Sequence, residues 1–189
     1  FGDRYVTRDV NQATRKVVGN PNPDFTGGFN NTFSYKGVSL SVLWQFVYGN
    51  QIYNANYFSR ASGKYFDNQL VSQLDAWQDP GDITDVPEAR LYGNNGVAPK
   101  SSKKLSDGSY LRLKNLKLTY QLPNQFLSKM DLRSLEVFVT GTNLLTFTEY
   151  DGYDPEISLN FAQSNLNIGN TFYTAPQAKT ISAGLNIGF

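Results

Sequence analysis

The chain has 189 residues, a net charge of +1, and neither cysteine nor histidine. A near-neutral balance gives no case for nucleic acid or for electrostatic attachment to a membrane, and the two missing residue types exclude disulfides, Cys/His zinc sites and every histidine-based triad. There is no run of about 18 apolar residues that would make a transmembrane helix, whereas a mean hydropathy of −0.42 is compatible with strands that cross a bilayer.

Phe1 is not an initiator methionine and no signal peptide is present, so the chain is expected to be part of a longer one. Residues 1–23 are polar and irregular: Asp3, Asp9 and Asn11 precede the turn-rich Gly19-Asn20-Pro21-Asn22-Pro23. Spaced Asp and Asn can build a calcium loop, but the glycine and closing glutamate of an EF-hand are not in place, and no metal is assigned.

Residues 25–36 alternate. Phe25, Gly27, Phe29, Phe33 and Tyr35 share one face, with Asn31 the exception, and Thr26, Gly28, Asn30, Thr32, Ser34 and Lys36 share the other. Lys36-Gly37 supplies a tight turn. Residues 38–49 return with Val38, Leu40, Val42, Trp44, Phe46 and Tyr48 opposite a mainly polar set that includes Ser39, Ser41 and Gln45. Residues 50–109 lack alternation, hold one or two short helices between 55 and 74, and carry loop chemistry at Asp79-Pro80-Gly81-Asp82 and Gly93-Asn94-Asn95-Gly96.

A third strand is expected over 110–122, where Leu116, Leu118, Tyr120 and Leu122 alternate with Lys117, Thr119 and Gln121. Leu111 and Leu113 run in the opposite phase, which requires either a bulge near Lys114-Asn115 or a strand half that stands above a membrane. Residues 123–134 form a short connector with a helical turn. A fourth strand over 135–147 turns Leu135, Val137, Val139 and Gly141 outward, residues 148–178 make a second long loop, and the strand 179–189 follows. In that last strand Ile181, Ala183, Leu185, Ile187 and Phe189 alternate with Thr180, Ser182, Gly184, Asn186 and Gly188. Its length fits a tilted membrane strand of about 9–11 residues.

Connections that alternate short, long, short, long are the order of an all-β, antiparallel, up-and-down barrel with turns on one rim and loops on the other. Residues 24–189 are then a barrel segment, residues 1–23 a loop end, and 50–109 and 148–178 two long extracellular loops. Leu40, Val42, Trp44, Leu118, Val137, Val139, Leu185 and Ile187 are expected to face lipid, and Ser41, Gln45, Thr119 and Asn186 the lumen. Tyr35, Trp44, Tyr48, Tyr110, Tyr120 and Phe189 lie near strand ends, where interfacial girdles place aromatic rings. Alternation alone equally describes the half-buried strands of a sandwich.

The stretches Gly19-Asn-Pro-Asn-Pro-Asp-Phe-Thr-Gly-Gly-Phe29, Asp79-Pro-Gly-Asp-Ile-Thr-Asp-Val-Pro87, Asp107-Gly-Ser-Tyr-Leu-Arg-Leu-Lys-Asn-Leu116, Gly141-Thr-Asn-Leu-Leu-Thr-Phe147, Gly152-Tyr-Asp-Pro-Glu156 and Gly184-Leu-Asn-Ile-Gly-Phe189 resemble, in matching order, the C-terminal part of SusC/RagA-type TonB-linked outer-membrane transporters. Family members often carry an Asn-Gly-Asp-Gly segment near the start of this region. Here Asp9-Val-Asn-Gln-Ala-Thr-Arg stands instead, so a calcium ion is not carried over.

The resemblance implies the last five or so strands of a plugged barrel of about 22 strands in the bacterial outer membrane. It also implies energy from TonB acting through an N-terminal part outside this chain, a SusD-like surface lipoprotein as lid, and oligosaccharides or peptides as substrates. Phe189 resembles the terminal aromatic read by the barrel-insertion machinery. With that end in the periplasm, Lys36-Gly37 and 123–134 are periplasmic. No cofactor and no catalytic residue is implied.

Loop aromatics Trp77, Tyr92, Tyr150 and Tyr153 are candidate contacts for substrate, with loop packing as the plainer role of each. Two other functions compete. A secreted carbohydrate-binding β-sandwich would show charges on its exposed strand faces, which residues 38–48 and 181–189 lack. A hydrolase would use paired carboxylates among Asp79, Asp82 and Asp85, and one of them would have to be kept protonated by burial.

Overall fold

The structure, a computed structural model, describes residues 12–55, 68–91, 101–129, 131–156 and 168–189. These fall into two compact units.

The larger unit is built on an antiparallel sheet. Its strands are β1 (Phe25–Tyr35), β2 (Val38–Tyr48), β5 (Tyr110–Gln121), β6 (Ser134–Thr148) and β8 (Thr180–Gly188), in the spatial order β1-β2-β5-β6-β8. Every strand pairs with the next strand of this set, so the sheet is a meander and is open at β1 and β8. The β1–β2 turn is two residues long, with Lys36 at φ 47° and Gly37 at φ 83°. Two successive positive φ values make the type I′ turn, whose twist matches that of the flanking strands. Gly37 is required twice over, because a Cβ there would come within 2.7 Å of the Gln121 carbonyl oxygen. The connection between β5 and β6 is the one-turn helix α1 (Asn124–Leu127), whose Leu127 is buried.

Register explains the phase break in β5. Leu118 pairs with Leu40 and Val139, and Leu113 pairs with Trp44 and Leu145, all on one face. Lys114 is an extra residue between these pairs, and Asn143, at φ 54°, marks the irregularity opposite it in β6. A bulge therefore returns Leu111 and Leu113 to the same face as Leu116 and Leu118. Tyr110 departs from expectation. It pairs with Val47 and Thr148 on the polar face, is buried, and accepts a hydrogen bond from Gln45 Nε2 at 3.2 Å, so it belongs to no outward ring.

The smaller unit contains a three-stranded sheet in the order β4-β3-β7, from β3 (Gln51–Asn54), β4 (Leu105–Asp107) and β7 (Asn170–Thr171). β3 and β7 run parallel. Strands this short carry no readable alternation, so a region read as loop holds a sheet. Short 3₁₀ helices occupy Val71–Asp75 and Ser102–Lys104. The segment from Asp75 to Val86 closes on itself through Trp77 N–H to Val86 O at 3.0 Å and Thr84 Oγ1 to Asp75 O at 2.7 Å. Among the described residues no helix is long and apolar enough to cross a membrane, which leaves crossing by strands open.

Candidate functional site

The large sheet has two chemically different faces. One carries Phe29, Phe33, Leu40, Val42, Trp44, Leu116, Leu118, Val137, Val139, Leu185 and Ile187, and the other carries Ser41, Gln45, Lys117, Thr119, Glu136, Thr140, Ser182 and Asn186. Leu185 is 61% exposed and Val139 45%, so the apolar face stands open in this chain. At the end of the sheet where β1 begins and β6 ends, rings stack across strands. Phe25 lies 4.9 Å from Tyr48, Phe29 6.3 Å from Trp44, and Trp44 6.4 Å from Phe147. At the opposite end Tyr35 and Tyr120 are exposed, with Lys36 Nζ 5.2 Å from the Tyr35 ring centre. Phe189, beyond β8, is 81% exposed.

On the polar face, next to the bulge, lies a charge cluster that alternation does not reveal. Arg112, 3% exposed, donates to Asp154 at 2.5 and 3.3 Å and to Glu156 at 2.8 Å. Lys114 donates to both oxygens of Glu156 at 2.6 and 2.8 Å and to Gln177 Oε1 at 3.0 Å. The backbone N–H groups of Glu156 and Gln177 each donate to Asp154 at 3.0 Å. Burial alone would raise the Asp154 carboxyl, but the Arg112 hydrogen bond and the two backbone donors outweigh it and hold the group below the usual carboxylate range. The cluster ties both ends of the loop between β6 and β8 to β5.

The aromatic candidates separate. Tyr153 is 64% exposed. Tyr150 is buried at 7%, with its ring against Gly152, so in this chain it is packed. Trp77 is half-buried in the other unit, and Tyr92 lies outside the described residues. Asp79, Asp82 and Asp85 are exposed. Backbone N–H groups of Asp79 and Gln78 donate to Asp82 and hold its carboxyl low, the opposite of what a proton-donating acid needs. Among the described residues no group of three His, Cys, Asp or Glu side chains is placed to hold a metal, and residues 1–11 lie outside that set.

No protein-family model matches the chain. It is 38% identical over 192 residues to TonB-dependent receptor P3 of Formosa agariphila, a match that covers 100% of this chain and 19% of the receptor. TonB-dependent receptor P26 of the same organism is 34% identical over 180 residues, 92% of this chain and 18% of the receptor. The chain thus spans about a fifth of the length of these relatives. Among solved structures, the RagAB peptide importer in its "closed-closed" state superposes with a TM-score of 0.75 at 30% identity, over 92% of this chain and 18% of that one. Its "open-open" state gives 0.72 at 32% identity, over 89% and 17%.

Proposed function

Because the chain belongs to the SusC/RagA family of TonB-dependent outer-membrane transporters, we propose that its large sheet is a stretch of wall in a plugged barrel of about 22 strands that imports oligosaccharides or peptides. The apolar face meets lipid and the polar face the hydrated lumen. The observation that carries this reading is the register, which keeps every charged side chain of the five strands off one face. A sandwich would bury that face against a second sheet, whereas Ile181 is 75% and Leu118 48% exposed.

Spacing supports the same reading. Phe25 and Tyr35 lie at the two ends of β1, ten residues apart. At ~3.3 Å per residue they are about 33 Å apart along the strand. A tilt of about 40° projects this to about 25 Å, the height of the apolar band of outer-membrane barrels. Residues 50–109 and 148–178 then lie outside the cell, with Trp77 and Tyr153 among the side chains that meet solute. The Lys36-Gly37 turn and residues 123–134 lie in the periplasm. TonB drives the cycle through parts of the protein outside this chain, a SusD-like lipoprotein lids the barrel, and Phe189 serves the insertion machinery.

Single cysteines test the reading directly, since the segment has none of its own. Placed at Leu40, Val139 or Leu185 of the full-length protein they should resist a water-soluble maleimide, and at Ser41, Thr119 or Asn186 they should react. Equal labelling of the two sets would end the proposal. For the insertion role, Phe189→Ala should lower surface levels while leaving the melting of already inserted protein unchanged.

A further inference from the structure

The smaller unit contains a cleft of about 720 Å³ beside β3. That is within the range of sites that enclose small ligands, about 300–1,000 Å³. Arg15, Lys16, Tyr53, Ser101, Ser102 and Asn170 line it, and Val18 and Leu105 add apolar wall. Among the described residues no carboxylate lines the cleft and none pairs with Arg15 or Lys16. Two cations left without acids at one concave site, with hydroxyls beside them, are arranged for an anion brought from outside. A guanidinium offers a planar fork to a carboxylate or sulfate, an ammonium adds a point charge, and Ser hydroxyls complete the oxygen contacts.

We propose that this cleft binds the anionic group, a carboxylate or sulfate ester, of the solute the transporter imports. This deepens the import reading and rests on it for the ligand being an imported solute. The apolar wall and the Tyr53 ring beside the cations suit a ligand with a carbon skeleton over a bare inorganic ion. Both cations are exposed, so each contributes modestly and the contribution is screened by salt.

The test uses the purified full-length protein in detergent. Affinities are measured by calorimetry for four probes: an oligogalacturonate, a neutral oligosaccharide of equal length, an oligoglutamate peptide and a neutral peptide. The double variant Arg15→Gln/Lys16→Gln should weaken the acidic probe by about tenfold, leave neutral probes unchanged, and remove most of the salt dependence. Binding of the acidic saccharide alone, or of the acidic peptide alone, supports the site and names the source of the anion. Binding of both means that the charge itself is recognised. The proposal falls if the wild type binds neither acidic probe, or if the double variant binds one as tightly as wild type does. Lys103→Gln, outside the cleft lining, is the control for loss of one positive charge from the same unit and should change nothing. Uptake by cells is followed separately. A strain that imports no solute through this protein would defeat the import reading, while the binding data would still decide the cleft.

Discussion

Arg112 is 3% exposed, and a guanidinium taken out of water must recover its lost hydration from carboxylates. Asp154 and Glu156 do this from a loop, so the pairs decide where the loop lies more than how stable the sheet is. Removing one partner leaves a buried charge unmatched. Asp154→Asn is therefore expected to cost about 3 kcal/mol, and the double variant Asp154→Asn/Arg112→Met less than the two single losses added together. A double-mutant cycle on the full-length protein, read by denaturant unfolding, checks this, and strict additivity would mean that the pair is not coupled. The pH dependence follows with a definite sign. The folded carboxyl of Asp154 is held below its unfolded value of about 3.9. Its contribution is complete above that value and is lost as pH falls through the folded one. Proteolysis of the loop between β6 and β8 should stay slow at neutral pH and quicken below about pH 4. At Gly37, φ is 83° and a Cβ would meet the Gln121 carbonyl. Gly37→Ala is expected to cost about 1–3 kcal/mol by the same unfolding measurement, whereas an exposed Gly→Ala at ordinary φ would be near neutral or stabilising.

At the scale of elements, what can be read from sequence depends on length and on having one environment per face. β1, β2, β6 and β8 each run nine residues or more with one face apolar, and a period of two is plain over that distance. In β5 the same rule gave two phases, because Lys114 inserts one residue into the count. Only the register of its neighbours settles that the strand is continuous. β3, β4 and β7 have two to four residues each and are held by backbone bonds such as Tyr53 N–H to Gly169 O at 2.7 Å, for which no side-chain pattern is needed. The Arg112 cluster escaped for a related reason: its partners are 42 and 44 residues away, and nothing local to either side chain names the other. Leu185 and Asn186 are adjacent in β8 but on opposite faces, paired with Val137 and Glu136 respectively. Leu185→Arg is expected to cost about 2–4 kcal/mol in the membrane-embedded protein, and Asn186→Arg, facing Glu136 across the strands, far less. The ratio of folded to unfolded protein after refolding into lipid vesicles measures both, and equal losses would invert the assignment of the two faces.

For the molecule as a whole the open edges matter most. β1 and β8 each have a partner on one side only within this sheet. Each therefore presents a row of unpaired N–H and C=O groups. An apolar face next to such edges favours association in water, since both the exposed area and the free backbone groups gain from a second chain. Five strands are also too few to close on themselves, as about eight is the practical minimum for a barrel. The chain corresponds to only 19% of the first of its relatives. In the proposed barrel the edges would pair with neighbouring strands and the apolar face would meet lipid. The isolated 189 residues are accordingly expected to aggregate or to need detergent, and to show no cooperative melt in plain buffer. Size-exclusion chromatography with light scattering, followed by calorimetry, tests this. A monodisperse monomer with a sharp transition would mean that the sheet covers its own apolar face, which only a sandwich can do, and the barrel would have to be given up.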